Sequence, residues 1–162
     1  MQLKTLTDLL IHDLKDLYNA EQQLLVAMPK MMDKATAPAL KNAINQHFKE
    51  TQNQVTRLDK VCQILGTDGK GLKCNAMEGL IREGQEFMKE DADPAVMDAG
   101  IIGIAQRIEH YEIAGYGTVC TYAKILGLKD VLPLLKETLD EEKSTDEKLT
   151  AIAEEMVNPV AR

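Results

Sequence analysis

A glutamate in the middle of an apolar helical stripe is the feature that most constrains this chain. The first stripe runs Leu10, Leu14, Leu17, Glu21, Leu24, Met28 and Met31, with spacings that alternate between four and three residues. Such spacing places every member on the helix face that packs against neighbouring helices. Because an unpaired buried carboxylate costs several kcal/mol, Glu21 needs a counter-charge, a proton or a metal ion.

Three further segments carry polar residues on faces that should be buried. Glu109 shares one face of the third segment with Ile102 and Tyr116. The second segment has a polar stripe beside its apolar one, on which Glu50 reads equally well as a solvated residue at the helix edge. Acids interrupt the apolar stripe of the fourth segment. The candidate metal ligands are Glu21, Glu50, Glu109, Glu112, Glu142, Asp146, Gln54 and His47.

Composition and periodicity together predict an all-α fold. Aromatic residues make up only 4% of the chain and there is no Trp, while residues that favour packed helices dominate. We predict one domain over residues 1–162, with main helices at about 5–31, 36–65, 94–126 and 130–156 and a short helix at about 75–90. Two helical hairpins joined by a long crossover form an antiparallel four-helix bundle, and the crossover carries the fifth helix.

Inward glutamates on all four main helices of such a bundle indicate a dinuclear metal site. Several uncompensated carboxylates at close range repel one another strongly, whereas two divalent cations neutralise them. Clusters of carboxylates in helical bundles hold hard cations such as Mn²⁺ and Fe²⁺. The predicted cofactor is therefore a pair of divalent iron or manganese ions.

Charge, cysteine content and hydropathy limit the partners and the location. The 26 acidic and 19 basic residues give a net charge of −7, which disfavours nucleic acid and anionic lipid as partners. Cys62, Cys74 and Cys120 are odd in number and lack zinc-site spacing, so we expect free buried thiols in a reducing compartment. We recognise neither a signal peptide nor a membrane-spanning run, and we expect a cytoplasmic protein.

Four segments give the chain a resemblance to a known family. They are Leu-Tyr-Asn-Ala-Glu-Gln-Gln-Leu at 17–24, His-Phe-Lys-Glu-Thr-Gln at 47–52, Glu-His-Tyr-Glu-Ile-Ala at 109–114 and Glu-Thr-Leu-Asp-Glu-Glu-Lys at 137–143. With the short helix that begins near Cys74, they resemble the YciF/YciE-type proteins of the ferritin-like superfamily over nearly the whole chain. The resemblance implies a ferritin-like bundle in a stress-associated bacterial protein of the cytoplasm, commonly a homodimer.

The same resemblance implies roles for individual acids. Glu21 matches the first-helix carboxylate of ferritin-like di-iron sites, and Glu50 matches the first member of the ExxH motif on the second helix. Glu109 and Glu112 resemble the ExxE motif of rubrerythrin-like proteins. Glu142 matches the carboxylate of the last helix.

The histidines that usually follow the second-helix and last-helix glutamates are missing. In their places the chain offers Asn53 or Gln54, and Thr145 or Asp146. His47 lies one turn before the second-helix glutamate and is either a displaced ligand or a hydrogen-bonding partner of one. This departure weighs against redox activity more than against metal binding, because oxygen ligands suit Mn²⁺ or Fe²⁺ held structurally.

Two functional hypotheses follow. The leading one is a dinuclear iron or manganese protein of the stress response, extending to oxidoreductase handling of peroxide or iron. Tyr18 and Tyr116 are either neighbours of this site or simply core residues. The alternative is a metal-free helical dimer that binds another macromolecule. We expect a homodimer, because the crossover helix carries apolar residues that need covering. These are Met77, Leu80, Ile81, Phe87 and Met88.

Overall fold

Four long helices and one short helix make up the fold, which the computed structural model describes for residues 3–162. Helix α1 spans Leu6–Lys34, α2 Pro38–Ile64, α3 Asn75–Phe87, α4 Pro94–Ile125 and α5 Leu132–Ile152. The segment predicted as helix to about 156 is regular only to Ile152, and a wider π-helical turn, Ala153–Val157, follows. None of the helices in the described range is long and apolar enough to cross a membrane. The prediction of an all-α four-helix bundle with a fifth helix in the crossover is confirmed.

Local sequence signals set the helix ends. The side chain of Thr5 accepts a hydrogen bond from the backbone of Asp8, whose carboxylate accepts one from the backbone of Thr5, and this capping box begins α1. Proline stands in the first turn of α2, α4 and α5, where its missing N–H is not needed. Helix α1 passes through Pro29 to Lys34 rather than ending near residue 31, because its backbone hydrogen bonds resume beyond the proline.

Neighbouring main helices run antiparallel around the bundle. Short turns join α1 to α2 and α4 to α5 in two hairpins. Across α1 and α4, Leu17 packs against Gly115 while Thr36 bonds to Asp98, so the two chains run in opposite directions. Contacts between α2 and α5 follow the same antiparallel order.

A layer of polar side chains divides the bundle interior into two apolar cores. The first core lies toward the start of α1 and includes Leu10, Leu14, Leu17, Leu58, Val61, Tyr116, Val119, Ala123, Val131 and Leu135. The second core includes Ala20, Leu24, Met28, Met31, Ile44, Ile101, Ile102, Ile108 and Leu149. Each main helix contributes residues to both cores and crosses the polar layer between them.

The bundle of the same chain covers much of the apolar face of the crossover helix α3. Met77 is fully buried, and Leu80, Ile81, Phe87 and Met88 pack against the second core. These four side chains remain only half-buried, so the expectation that a second chain covers the rest of the face stays a prediction. The homodimer itself stays a prediction.

The three cysteines are free thiols. Cys62 and Cys74 are buried, whereas Cys120 is only half-buried at the edge of the first core, so the prediction of burial is wrong for Cys120. Burial raises the pKa of each thiol, which favours the protonated and unreactive form.

Candidate metal centre

The polar layer is built from inward-facing side chains of all four main helices. We define it as Glu21, His47, Thr51, Gln54, Glu109, Glu112, Glu142 and Thr145, all of them buried. Its members interrupt the apolar stripes of their helices, so the same periodicity that builds the cores also brings these groups together. Five of them, Glu21, Thr51, Gln54, Glu112 and Glu142, have no solvent exposure at all.

One histidine and three glutamates form the centre of the layer. One ligand atom from each of His47, Glu109, Glu112 and Glu142 lies within 4.8 Å of the others. Nε2 of His47 is 3.2 Å from Oε1 of Glu109 and 3.8 Å from Oε2 of Glu142. An imidazole nitrogen with carboxylate oxygens at this spacing is a donor set suited to a divalent transition metal ion. We call these four residues the central cluster.

Glu21 flanks the central cluster from α1. The hydroxyl of Tyr116 donates a hydrogen bond of 2.5 Å to Oε1 of Glu21. Burial raises the pKa of Glu21 well above its ordinary value of 4.5, and the negative charge of Glu142 raises it further. Glu21 is fully buried in the same layer but is not one of the four residues whose ligand atoms lie within 4.8 Å of one another. The other predicted neighbour, Tyr18, instead packs against Gly69 of the crossover loop.

Donor atoms without hydrogen-bond partners among residues 3–162 are concentrated here. They include Oε2 of Glu21, Nε2 of His47, Oε2 of Glu109, both carboxylate oxygens of Glu112 and Oε2 of Glu142. His47 Nε2 lies 3.2 Å from Glu109 Oε1, but the two atoms do not form a hydrogen bond. Buried carboxylates that were ionised and had neither a hydrogen bond nor a counter-charge would strongly destabilise the fold. Shared protons or bound cations would remove that cost.

The raised pKa values of the buried glutamates favour protonated carboxyl groups in the metal-free layer. Burial raises the pKa of Glu109 and Glu112 well above the ordinary value, and repulsion by neighbouring carboxylates adds to the rise. Burial also raises the pKa of Glu142, against the opposing influence of His47. These acids titrate as one coupled group.

His47, rather than Glu50, is the residue that α2 directs into the central cluster. The two positions are three residues apart and therefore about 60° apart around the helix. Glu50 accepts a hydrogen bond from Gln46, its side chain is 22% exposed, and one of its oxygens lies 3.9 Å from Nδ1 of His47. That contact with His47 lowers the pKa of Glu50. Glu50 thus lies behind the imidazole, while Nε2 of His47 faces the cluster.

Asp146 also lies outside the central cluster. Its carboxylate accepts a hydrogen bond of 3.1 Å from Gln106 and lies 3.3 Å from Nε2 of the exposed His110. The preceding residue, Thr145, is the one that enters the layer, where its hydroxyl is 3.5 Å from Nδ1 of His47. Between the two alternatives that the sequence left open on α5, the structure brings Thr145 to the site.

Gln54, and not the exposed Asn53, enters the layer from α2. Nε2 of Gln54 donates hydrogen bonds to carboxylate oxygens of Glu141 and Glu142. Sequence reasoning missed Thr51, which is fully buried and whose hydroxyl has no hydrogen-bond partner in the described part of the chain. Its position four residues after His47 and three before Gln54 is the signal that could have found it.

Together, fold and site define the class of protein: a four-helix bundle with a crossover helix and a buried cluster of carboxylates and one imidazole. The chain belongs to the DUF892 family, described as a domain of unknown function, which it matches over residues 5–162. It is 44% identical over 162 residues to Protein YciF of Escherichia coli (strain K12), and the match covers 99% of this chain and 98% of YciF.

Solved structures carry the same fold. The crystal structure of the E. coli stress protein YciF has a TM-score of 0.92 at 44% identity and covers 96% of this chain and 99% of its own. YcfI from Rhodopseudomonas palustris has a TM-score of 0.91 at 45% identity, with coverages of 94% and 97%. A protein from Xanthomonas campestris pv. campestris, at 23% identity and a TM-score of 0.76, supports the fold alone. The resemblance to YciF-type proteins is confirmed.

Proposed function

We propose that this protein binds two divalent metal ions, iron or manganese, in the polar layer and acts in the bacterial stress response. The proposed ligands are Glu21, His47, Glu109, Glu112 and Glu142. The observation that carries the proposal is the concentration of buried donor atoms without partners among residues 3–162, which cations would satisfy. The stress role is supported by the similarity to E. coli YciF, a stress protein.

The donor chemistry favours iron or manganese. Four carboxylates suit hard cations, and the one imidazole adds affinity for a transition metal over Mg²⁺ or Ca²⁺. Iron or manganese ions, when bound, would supply Lewis acidity or electron exchange, which makes oxidoreductase chemistry on peroxide or iron the enzymatic form of the proposal. The protein itself contributes Tyr116, which orients Glu21, and two apolar cores that keep water from the layer.

We further propose that the protein works as a cytoplasmic homodimer. The support for the cytoplasm is the three free cysteines, which fit a reducing compartment. The support for the dimer is the resemblance to the YciF-type family, together with the apolar side chains of α3 that the bundle leaves half-buried.

Anomalous scattering tests the metal proposal. Crystals grown anaerobically with Fe²⁺ or Mn²⁺ are measured at both absorption edges, and the expected result is two peaks within bonding distance of the proposed ligands. Crystals of the Glu142→Gln variant, treated identically, serve as the control and should lose at least one peak. Featureless maps from the unmodified protein would overturn the proposal in favour of the metal-free interaction protein.

A further inference from the structure

We propose that Arg57 acts on the ligand Glu142 from a distance, as a positioning residue. It does so through Glu141 and Gln54, and we call these four residues the Arg57 relay. The inference rests on the proposed function, since Glu142 is one of the proposed metal ligands. It assigns a task to an ion pair that lies at the edge of the bundle and touches none of the unpartnered donor atoms.

The outer end of the relay is a two-pronged ion pair between α2 and α5. The side chain of Arg57 is 14% exposed. Its Nη2 lies 2.6 Å from Oε1 of Glu141, and its Nη1 lies 2.8 Å from Oε2 of the same carboxylate. Further bonds to Thr138 and Glu137 hold the guanidinium in place. A planar fork of this kind fixes the orientation of the carboxylate as well as its position.

The middle of the relay is the fully buried amide of Gln54. Its Nε2 donates one hydrogen bond of 2.9 Å to Oε2 of Glu141 and another to Oε1 of Glu142. A primary amide nitrogen has two hydrogens, so both are used. The reversed amide would place its oxygen against two carboxylate oxygens, which is repulsive when the carboxylates are ionised. Glu141, held by Arg57, therefore sets the direction of the Gln54 amide.

At its inner end, the relay decides which oxygen Glu142 presents to the central cluster. Oε1 is engaged by Gln54. Oε2 has no hydrogen-bond partner among residues 3–162 and lies 3.8 Å from Nε2 of His47. Release of the amide would let Gln54 and Glu142 take other orientations in the layer. Residues that orient metal ligands in this way typically change metal affinity by 10- to 100-fold when they are replaced.

A double-mutant cycle on the full-length protein tests the relay. The variants are Arg57→Met, Gln54→Met and the double replacement, and the measurements are the Mn²⁺ dissociation constant and the melting temperature of the metal-free protein. Arg57→Met and Gln54→Met should each weaken Mn²⁺ binding by about tenfold or more. Because Arg57 acts only through Gln54, the double variant should bind within about twofold of Gln54→Met alone.

Two further variants separate positioning from simple stabilisation. Arg107→Met removes an exposed ion pair with Glu83 that is remote from the layer, and it should leave the Mn²⁺ dissociation constant unchanged. Arg57→Lys keeps the positive charge without the two-pronged geometry and is the milder change to the fold. Its Mn²⁺ dissociation constant should lie between those of the unmodified protein and Arg57→Met.

The outcomes distinguish the relay from the function on which it rests. No Mn²⁺ binding by the unmodified protein would overturn the proposed function. If the unmodified protein binds Mn²⁺ and both Arg57→Met and Arg57→Lys bind it with the same dissociation constant as the unmodified protein, the relay alone would be overturned. The relay would also be overturned if the fold-losses of Mn²⁺ affinity in Arg57→Met and Gln54→Met multiply in the double variant. That result would mean that Arg57 and Gln54 affect binding independently. A lower melting temperature without weaker binding would leave Arg57 a purely structural residue.

Discussion

Tyr116 donates a hydrogen bond to Glu21 across the contact between α4 and α1, and neither side chain has any solvent exposure. Burial is the main influence that raises the pKa of Glu21, and the bond from Tyr116 opposes that rise. The phenol therefore favours the ionised carboxylate, which is the form that binds a cation. The ring of Tyr116 thus packs in the first apolar core, while its hydroxyl favours the ionised, metal-binding form of Glu21 in the polar layer.

Replacement of Tyr116 by Phe should weaken metal binding without changing the fold. Loss of the hydroxyl leaves an oxygen of Glu21 unpaired in the metal-loaded protein, which costs about 1–3 kcal/mol. The expected result is weaker Mn²⁺ binding by roughly one order of magnitude at neutral pH, measured by titration. Tyr122→Phe, on the same helix but outside the layer, is the matched control. Equal binding by the two variants would show that the bond to Glu21 does not matter.

Glutamine replacements should separate the ligands from their neighbours. Glu21→Gln and Glu142→Gln preserve side-chain volume but remove a charge that a cation needs, so each should lose at least one bound ion with little change in helical circular dichroism. Glu50→Gln and Asp146→Asn lie outside the central cluster and should bind as the unmodified protein does. Metal analysis of the four variants makes the comparison. A loss in Glu50→Gln equal to that in Glu142→Gln would return Glu50 to the ligand set.

The fold is predictable because each helix repeats a consistent local pattern. The stripe from Leu10 to Met31 gives α1, and the capping box of Thr5 and Asp8 gives its beginning. Glutamates that break such stripes also predict which acids are buried, as Glu21, Glu109 and Glu142 are. The periodicity of single helices is therefore enough to predict the architecture and most of the buried acids of the site.

Choices between adjacent polar residues are less predictable. His47 and Glu50 differ by about 60° around α2, which is within the error of a stripe assigned by spacing. The three hydrogen bonds from Thr36 and Ala37 to the buried Asp98, which tie the α1–α2 turn to α4, join residues 61 or 62 positions apart. The link from Arg57 to Glu141 spans 84. Such contacts depend on helix packing, about which the spacing along one helix says nothing.

Metal-free protein should lose stability as the pH rises. The unfolded chain releases its glutamate protons near a pKa of about 4.3, whereas the folded layer keeps them because the pKa values of Glu21, Glu109 and Glu112 are raised. Above that unfolded value the folded state binds more protons, so each pH unit up to the raised pKa removes about 1.4 kcal/mol per retained proton. Melting temperatures with chelator should fall from about pH 5 to about pH 7.5 in ordinary buffers.

Added Mn²⁺ should reverse this trend. Cations bind the deprotonated layer, so the metal-induced rise in melting temperature should be small at about pH 5 and larger at about pH 7.5. The same scans in Glu142→Gln provide the control, in which the rise should shrink. A rise that is absent, or that does not grow with pH, would mean that protons rather than metal ions satisfy the layer in the working protein.

The homodimer is testable in solution without any assumption about metal. Light scattering at micromolar concentration should report twice the 18.0 kDa mass of one chain. The measurement should be repeated with chelator, since the metal layer lies inside one bundle and its loss should not dissociate the pair. A mass of one chain both with and without chelator would contradict the homodimer prediction.

The metal content of the native protein tests the central claim most directly. Protein is purified anaerobically from cells supplied with iron and manganese, and its metals are counted by elemental analysis beside Glu142→Gln prepared in parallel. We predict about two equivalents of iron plus manganese per chain, and fewer in the variant. Fewer than about 0.2 equivalents of any transition metal in the unmodified protein would contradict the account and leave a helical interaction protein whose buried acids share protons.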